Sequence, residues 1–518
     1  MRSTRRRFLR LHVVPSDNGV RKAGAMIPLS HRVAVQNPTM NGVIHIPLSI
    51  SAYGRIAAGR CVRHGRWFAL VLVLVLLAGC SRLPRYVPDL MPREGPIQVA
   101  GTRGLLSDAR SRVILDALER RGLATNIFER HLALEEAIAG YPLTTGNSVR
   151  LLQDGPATYE AMLSAIAGAR DHVNMETYIL DDDKVGQRFA QALMDKQLQG
   201  VQVNLIHDSV GTLNTPAAFF ERLQASGIRV LEFNPINPLQ ARNGWELNQR
   251  DHRKLLIVDG TTAFLGGINI SGVYSSSPLA HAKAPEASAL PWRDTDLQID
   301  GPVVADLQKI FMGAWQSQNG GPLEARNYYP NQKPPGQQLV RVIGSSPDES
   351  YSRIYGTLIS AIHHAQTSIR ITNAYFVPDE QLLDALERAA ARGVDVSLIL
   401  PAQTDSWLVF HAGRTHYGRL LRAGVSIHER QGAILHSKTA LIDGIWATIG
   451  STNLDWRSFL HNYELNAVVL GVEFGGQLQA MFDRDLKKSE AVTLAQWERR
   501  PLAPRVKEIF ARLWEYWL

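Results

Sequence analysis

His252-Arg-Lys254-Leu-Leu-Ile-Val-Asp259-Gly260 is followed by Gly266-Gly267-Ile268-Asn269, and further along His436-Ser-Lys438-Thr-Ala-Leu-Ile-Asp443-Gly444 is followed by Gly450-Ser451-Thr452-Asn453. The residues after each lysine are mainly apolar and β-prone, so both segments read as buried strands. On a strand, residues i and i+2 share a face, which sets each histidine beside its lysine. Asp-Gly is a strong two-residue hairpin signal, and a second β-prone run follows it in both places. The chain therefore folds back and returns the small turn and its asparagine to the His/Lys end. One such motif is weak; two, each with the same downstream small-x-x-Asn, are not a chance pairing.

Working outward, the segments around the motifs repeat as well. Ser164-Ala-Ile-Ala-Gly-Ala-Arg170 answers Ser360-Ala-Ile-His-His-Ala-Gln366, and strand-like stretches follow at 173–180 and 369–377. Helical stretches at 185–199 and 379–392 lead into Gly200-Val-Gln-Val-Asn-Leu-Ile206 and Gly393-Val-Asp-Val-Ser-Leu-Ile399. Strands alternating with helices at this spacing predict an α/β fold: two duplicated domains, each a mixed, mostly parallel sheet flanked by helices, related by a pseudo-twofold. The expected boundaries are 146–320 and 339–491, joined by a Gly/Pro/Asn-rich linker at 321–338. A helical extension over 80–145 precedes them, and an amphipathic helix over 492–518 follows.

The chain has 518 residues, 45% hydrophobic and 20% charged, which excludes a disordered, collagenous or polytopic membrane protein. Its length exceeds the roughly 250–300 residues at which a single core stops growing. Two cysteines exclude a disulfide-rich scaffold or a cysteine-rich metal module. The net charge of +8 points to nucleic acid or an anionic membrane until its position is considered. Residues 1–79 hold twelve basic residues against Asp17, a net +11, and leave −3 on 80–518. The leader ends in basic residues 63–66, an apolar run over 67–78, then Gly79-Cys80. That is a secretory pattern, too short to span a bilayer. Residues 1–61 are too long for an n-region, so the expected start is Val62 through a non-ATG codon.

The stretch Leu77-Ala-Gly-Cys80 resembles a bacterial lipoprotein signal over 62–79, which implies lipidation of Cys80 and anchoring at the cell envelope, facing the periplasm. The paired motifs resemble the phospholipase D superfamily over about 145–490, with His252, Lys254, Asp259, His436, Lys438 and Asp443 all in place. Within it, Glu176-Thr-Tyr-Ile-Leu-Asp-Asp-Asp-Lys184, Gly450-Ser-Thr-Asn-Leu-Asp455 and Leu513-Trp-Glu-Tyr-Trp517-Leu518 are similar to bacterial cardiolipin synthases. The resemblance implies attack by one histidine to give a phosphohistidine while the other protonates the leaving alcohol and then deprotonates the acceptor. Lys254 and Lys438 would neutralise phosphate oxygens and Asn269 and Asn453 would add hydrogen bonds, with no metal or other cofactor. It also implies an acid downstream of each motif to fix the histidine tautomer. Glu464 fits for His436; Asp296 fits for His252 across an insertion at 274–291, with Asp294 as the alternative.

The implied substrate is phosphatidylglycerol, whose phosphatidyl group passes to a second phosphatidylglycerol, with the membrane surface as partner and no nucleic acid expected. A phospholipase D using water, a nuclease and a catalytically dead scaffold are the competing readings. Asp259 and Asp443 begin hairpin turns, which favours a structural role despite their place in the motif. Asp181-Asp182-Asp183 suits a helix start better than a metal, and His363-His364 reads as helix surface. Ser437 and Ser451 suit either phosphate contact or close backbone approach. In 504–518, Val506, Ile509, Phe510, Leu513, Trp514 and Trp517 share a helical face, which fits docking on the body or lying on a membrane surface.

Overall fold

The computed structural model describes residues 97–121, 127–237, 246–276, 290–515 and 518. The leader, Cys80 and residues 277–289 of the insertion lie outside the described residues.

The described chain opens with β1 (Val99–Gly101), β2 (Gly104–Leu105), α1 (Asp108–Glu119) and α2 (Leu132–Ala139). The first repeat runs β3 (Leu143–Gln153), α3 (Asp154–Gly168), β4 (His172–Thr177), α4 (Lys184–Leu198), β5 (Gln202–Asp208), α5 (Ala217–Ala225) and β6 (Arg229–Phe233). It continues with β7 (Arg250–Asp251), β8 (Leu255–Val258), β9 (Thr262–Gly266), β10 (Trp292–Arg293), β11 (Thr295–Asp300) and α6 (Val304–Ser317). The second repeat runs β12 (Gln338–Ser345), α7 (Arg353–His364), β13 (Ser368–Asn373), α8 (Glu380–Ala391), β14 (Asp395–Pro401), α9 (Trp407–Arg414), α10 (Tyr417–Arg422) and β15 (Ser426–Arg430). It closes with β16 (Ile434–Leu435), β17 (Lys438–Ile442), β18 (Trp446–Gly450), α11 (Trp456–Leu460), β19 (Asn462–Leu470), α12 (Val472–Leu486), β20 (Ser489–Val492), α13 (Leu494–Glu498) and α14 (Leu502–Arg512).

Both repeats build the same mixed sheet. In the first, β4, β5 and β6 pair in parallel through their crossover helices, and β8, β9, β11 and β3 extend the sheet antiparallel. In the second, β13, β14 and β15 are the parallel part and β17, β18, β19 and β12 the antiparallel part. The antiparallel β8–β9 and β17–β18 pairs come from the Asp-Gly turns, whose short loops at 259–261 and 443–445 join only antiparallel neighbours. Strands β3 and β12 pair antiparallel with each other, so the two sheets meet where the pseudo-twofold passes. There the inner faces share one apolar cluster, which includes Leu265, Leu297 and Ile299 from one repeat and Val342, Ile449 and Val469 from the other. Burying a side chain of this kind contributes roughly 1.5–3 kcal/mol, so the repeats hold each other.

The N-terminal extension is more than the helical segment expected. Strand β1 pairs in parallel with the start of β3, and Ile127 and Leu132 belong to the core of the second repeat. The fully buried Glu135 of α2 meets the equally buried Arg341 of β12 at 3.0 Å. Residues 321–337 of the linker carry no helix or strand and are strapped to the first repeat, with the Asn327 amide donating to Asp171 at 3.0 Å. Among the described residues no helix is long and apolar enough to cross a membrane.

Candidate active site

The two histidines are placed by short strand pairings that cross between the repeats. Strand β7 pairs in parallel with the start of β19, setting Arg250 opposite Asn462 and Asp251 opposite Tyr463. The next residues in that register are His252 and Glu464. Likewise β10 pairs in parallel with β16, Trp292 opposite Ile434 and Arg293 opposite Leu435, and the next residues are Asp294 and His436. Each ladder is extended by one backbone bond, His252 N–H to Tyr463 O at 3.0 Å and His436 N–H to Arg293 O at 2.8 Å.

In consequence each histidine faces an acid of the other repeat. His252 Nδ1 lies 3.0 Å from Glu464 Oε1, and His436 Nδ1 lies 2.7 Å from Asp294 Oδ2. With Nδ1–H donated to a carboxylate, each ring keeps Nε2 as a lone-pair acceptor. Glu464 also accepts from the Ser451 hydroxyl and from Asn462 Nδ2 at 3.2 Å. Tyr178 packs edge-on to His252, while Tyr274, Trp292 and Tyr375 surround His436.

Burial sets the charge states. It pushes His252 down to about 4 against the attraction of Glu464, and it lowers His436 as well, with Lys438 adding to the effect. Both imidazoles are therefore neutral near pH 7. Burial lowers Lys254 to about 7 and Lys438 to about 8, Glu464 opposing it at both and each lysine's charge further lowering the other repeat's histidine. The lysines are thus poised to gain charge when an anion arrives. Each ammonium donates to the carbonyl of its own histidine, Lys254 Nζ to His252 O at 2.6 Å and Lys438 Nζ to His436 O. Lys254 stands over the Tyr178 ring and Lys438 over the Tyr375 ring, an arrangement that repeats across the pseudo-twofold.

The acid expectations need correction. Glu464 serves His252 rather than His436, and Asp294, not Asp296, contacts a histidine. Asp296 is opposite Gly266 as Asn466 is opposite Gly450, so these two are equivalents, and Asp294 is the equivalent of Glu464. Asp296 Oδ1 accepts from the Ile268 amide at 3.1 Å, and Asn466 Oδ1 accepts from Thr452 Oγ1 at 2.8 Å: both tie down the small turn. Burial and the neighbouring Asp294 hold the Asp296 carboxyl well above the usual range.

Asn269 is engaged at both ends of its amide. Its Oδ1 accepts from the Ile179 amide at 3.1 Å, and its Nδ2 donates to the Tyr274 hydroxyl at 3.1 Å. Asn453 keeps a buried amide oxygen without a hydrogen-bond partner among the described residues. Asp259 accepts from the amides of Arg170, Asp171 and His172, and Asp443 from those of Gln366, Thr367 and Ser368. Both sit at positive φ where their hairpins turn, 52° and 50°. They clamp a helix-to-strand turn and touch neither histidine.

Asp183 caps α4 through the amides of Val185 and Gly186. Among the described residues no group of His, Cys, Asp and Glu is gathered as a metal site requires. Ser437 Oγ meets Thr295 Oγ1 at 2.8 Å, another contact between repeats. His363 and His364 are half-buried, and His364 packs towards the buried His131, so this pair is not open helix surface.

Two equivalent β-hairpins that carry His-x-Lys into one buried site on a shared pseudo-twofold define a phospholipase D-like protein. A family model described as "Cardiolipin synthase, PLD-like domain" matches residues 162–276 and 358–486. A cardiolipin synthase of Geobacillus thermodenitrificans (strain NG80-2) is 34% identical over 388 residues, 74% of this chain and 74% of that one. A probable cardiolipin synthase of Bacillus subtilis (strain 168) is 31% identical over 473 residues, covering 89% and 90% of the two chains. The crystal structure of phosphatidylserine synthase from Haemophilus influenzae Rd KW20 superposes with a TM-score of 0.53 at 14% identity, over 71% of this chain and 92% of that one, a likeness of fold. The chain belongs to the cardiolipin synthase family and is a phosphatidyltransferase.

Proposed function

We propose that this enzyme moves a phosphatidyl group from one phosphatidylglycerol to a second, releasing glycerol, through a phosphohistidine. The observation that carries the reading is the pair of buried neutral imidazoles, each with Nδ1 committed to a carboxylate and Nε2 left to react. One neutral Nε2 attacks phosphorus; the other histidine enters this step as the imidazolium, having taken a proton from solvent at Nε2, and gives that proton to the departing glycerol oxygen. That histidine then takes the proton of the second lipid's primary hydroxyl, which attacks the phosphohistidine and restores the first ring. Protonated Lys254 and Lys438 stabilise the phosphorane charge. Asn453 is retained as a phosphate contact; Asn269 is assigned to holding the 178–179 turn.

Wild type and His252→Ala or His436→Ala, given headgroup-labelled phosphatidylglycerol, test the chemistry. Cardiolipin and free glycerol in equal amounts, absent in both variants, is the expected result. Phosphatidic acid without cardiolipin would make the protein a hydrolase. Lipid anchoring through Cys80 on the periplasmic side belongs to the same proposal and predicts a mature chain that begins at an acylated Cys80; intact mass of the membrane-extracted protein decides it.

A further inference from the structure

Helix α14 is oriented opposite to an ordinary docking helix. Its buried contacts are Ala511 and Glu508, the latter paired with Arg500 at 2.7 Å. Its apolar stripe faces solvent instead: Leu502 is 74% exposed, Val506 65%, Ile509 67% and Leu513 56%, with Phe510 alongside at 53%. These positions recur every three or four residues and form one face, bordered by exposed Lys507 on one side and Arg512 on the other. An apolar stripe with cationic borders is the chemistry of a helix lying in the interface of an anionic bilayer.

Helix α14 is connected to the active site through the helix it packs on. Helix α9 packs on α14 through a small cluster of Val377, Ala412 and Ala511. It begins at Trp407, 48% exposed and two residues after Asp405, which accepts from the Tyr375 hydroxyl beside His436 at 2.7 Å. The C-terminal Leu518 carbonyl accepts from the Arg457 amide at 2.9 Å, two residues past Asp455. Two further exposed apolar residues belong to segments that reach the site: Leu213, 68% exposed, in the turn that follows β5, and Val273, 46% exposed, next to the Tyr274 that packs on His436. Thr215, in the turn with Leu213, donates to Leu180 O, two residues from the Tyr178 that packs on His252. Segments that carry buried site residues thus also carry exposed apolar side chains, the reverse of what a water-soluble substrate requires.

We infer that the outer face of α14, together with Trp407, Leu213 and Val273, is a bilayer-docking surface that seats the active site on anionic phospholipid. This inference deepens the proposed function, since the occupant is the substrate surface itself. The test compares full-length wild type with Val506→Glu/Ile509→Glu, and with Lys507→Glu, on two forms of phosphatidylglycerol. One is vesicles of phosphatidylglycerol and phosphatidylethanolamine; the other is short-chain, monomeric phosphatidylglycerol below its micelle concentration. Turnover on vesicles is expected to fall at least about tenfold in the double variant, because each apolar side chain lost from the interface weakens binding by about that factor. Lys507→Glu should fall less, and only on anionic vesicles. Turnover of the monomeric lipid should be unchanged in both, and Val113→Glu, an exposed position on α1, should change neither.

Equal losses on vesicles and monomers, or no loss on vesicles, would overturn the inference, as would a halved sedimentation mass in the double variant, which would make the stripe a dimer face. Lys507→Glu keeps the question open to decision if the double variant unfolds. Should wild type release phosphatidic acid instead of cardiolipin, the proposed chemistry falls while the vesicle-to-monomer ratio still reads the surface.

Discussion

Asp294 and Asp296 lie two residues apart, face the same way along β11 and its approach, and are set to different tasks by register. Asp294 holds the Nδ1 proton of His436, so Asp294→Asn presents an amide that can donate to Nδ1 and force the proton to Nε2. The imidazole is then in the wrong tautomer for its chemistry. A loss of about a hundredfold or more in kcat is expected, with the thermal midpoint little changed. Asp296→Asn should keep activity within about threefold, because the equivalent position already carries Asn466 and the Asp296 carboxyl is held toward its neutral form. Comparable losses in both variants would contradict this assignment.

The two lysines give a pH dependence of known sign. A lysine is charged below its pKa, and Lys254 and Lys438 lose their protons as pH rises through about 7 and about 8. The attacking histidine must be neutral, and His252 stays so down to about 4. Accordingly kcat/KM, which reports groups of the free enzyme, should fall on the alkaline side between about pH 7 and 8. Lys254→Arg, whose charge does not titrate in this range, should move that limb upward even at reduced activity. A limb that stays in place would assign it to another group.

At the scale of elements, two-residue strands govern the site. Strand β10 is held by the buried Arg293, whose guanidinium contacts Asp485 of α12 at 2.9 Å and Asp154 at the start of α3 at 3.1 Å. Asp485 also pairs with the buried Arg430 of β15 at 3.2 Å, and Asp154 accepts from the Asp294 amide at 3.1 Å. Asp485→Ala removes the carboxylate that two buried guanidiniums share, and only Arg293 keeps a second one, Asp154. A cost of about 3–5 kcal/mol in denaturant unfolding is expected, since removal of one partner leaves uncompensated buried charge. Activity should fall with it although Asp485 touches neither histidine, because Asp294 rides on the strand that Arg293 fixes. Full activity in that variant would show that β10 is positioned by its backbone pairing with β16 alone.

The elements also mark what the sequence makes legible. The βα units, the Asp-Gly hairpins and the His/Lys pairing follow from local periodicity and turn chemistry, and β4, α4 and β5 fall within a few residues of their expected limits. The crossing of acids between repeats does not follow, because each acid lies downstream of its own repeat's histidine and only a long-range strand pairing exchanges them. One signal was available: aligning Trp292-Arg-Asp294 with Asn462-Tyr-Glu464 places Asp294, rather than Asp296, in the acid position. The aromatic surround of Tyr178, Tyr274, Trp292 and Tyr375 was invisible for a similar reason, since its members come from four separate segments. The outward apolar face of α14 was illegible because amphipathic periodicity states that a face exists and not which way it points.

For the whole molecule, the consequence of the pairing is that neither repeat contains a complete site. His252 takes its acid from the second repeat and His436 from the first, while the sheets join through β3 and β12 and share one apolar cluster. Exchanging repeats between two chains would require opening that cluster and unpairing β3 from β12, a cost of the order of global unfolding. Mixing His252→Ala with His436→Ala protein under native conditions should therefore leave activity at the floor of either variant. Rescue requires a chain that lends an intact repeat to its partner, and the continuous core forbids it on the time scale of an assay. Unfolding of the mixture in denaturant followed by joint refolding supplies the contrast. If subunits swap repeats only while unfolded, activity should appear after refolding and only then, up to the fraction of swapped pairs. Activity that rises on simple mixing would mean the two repeats separate readily, and the shared core would then be no barrier.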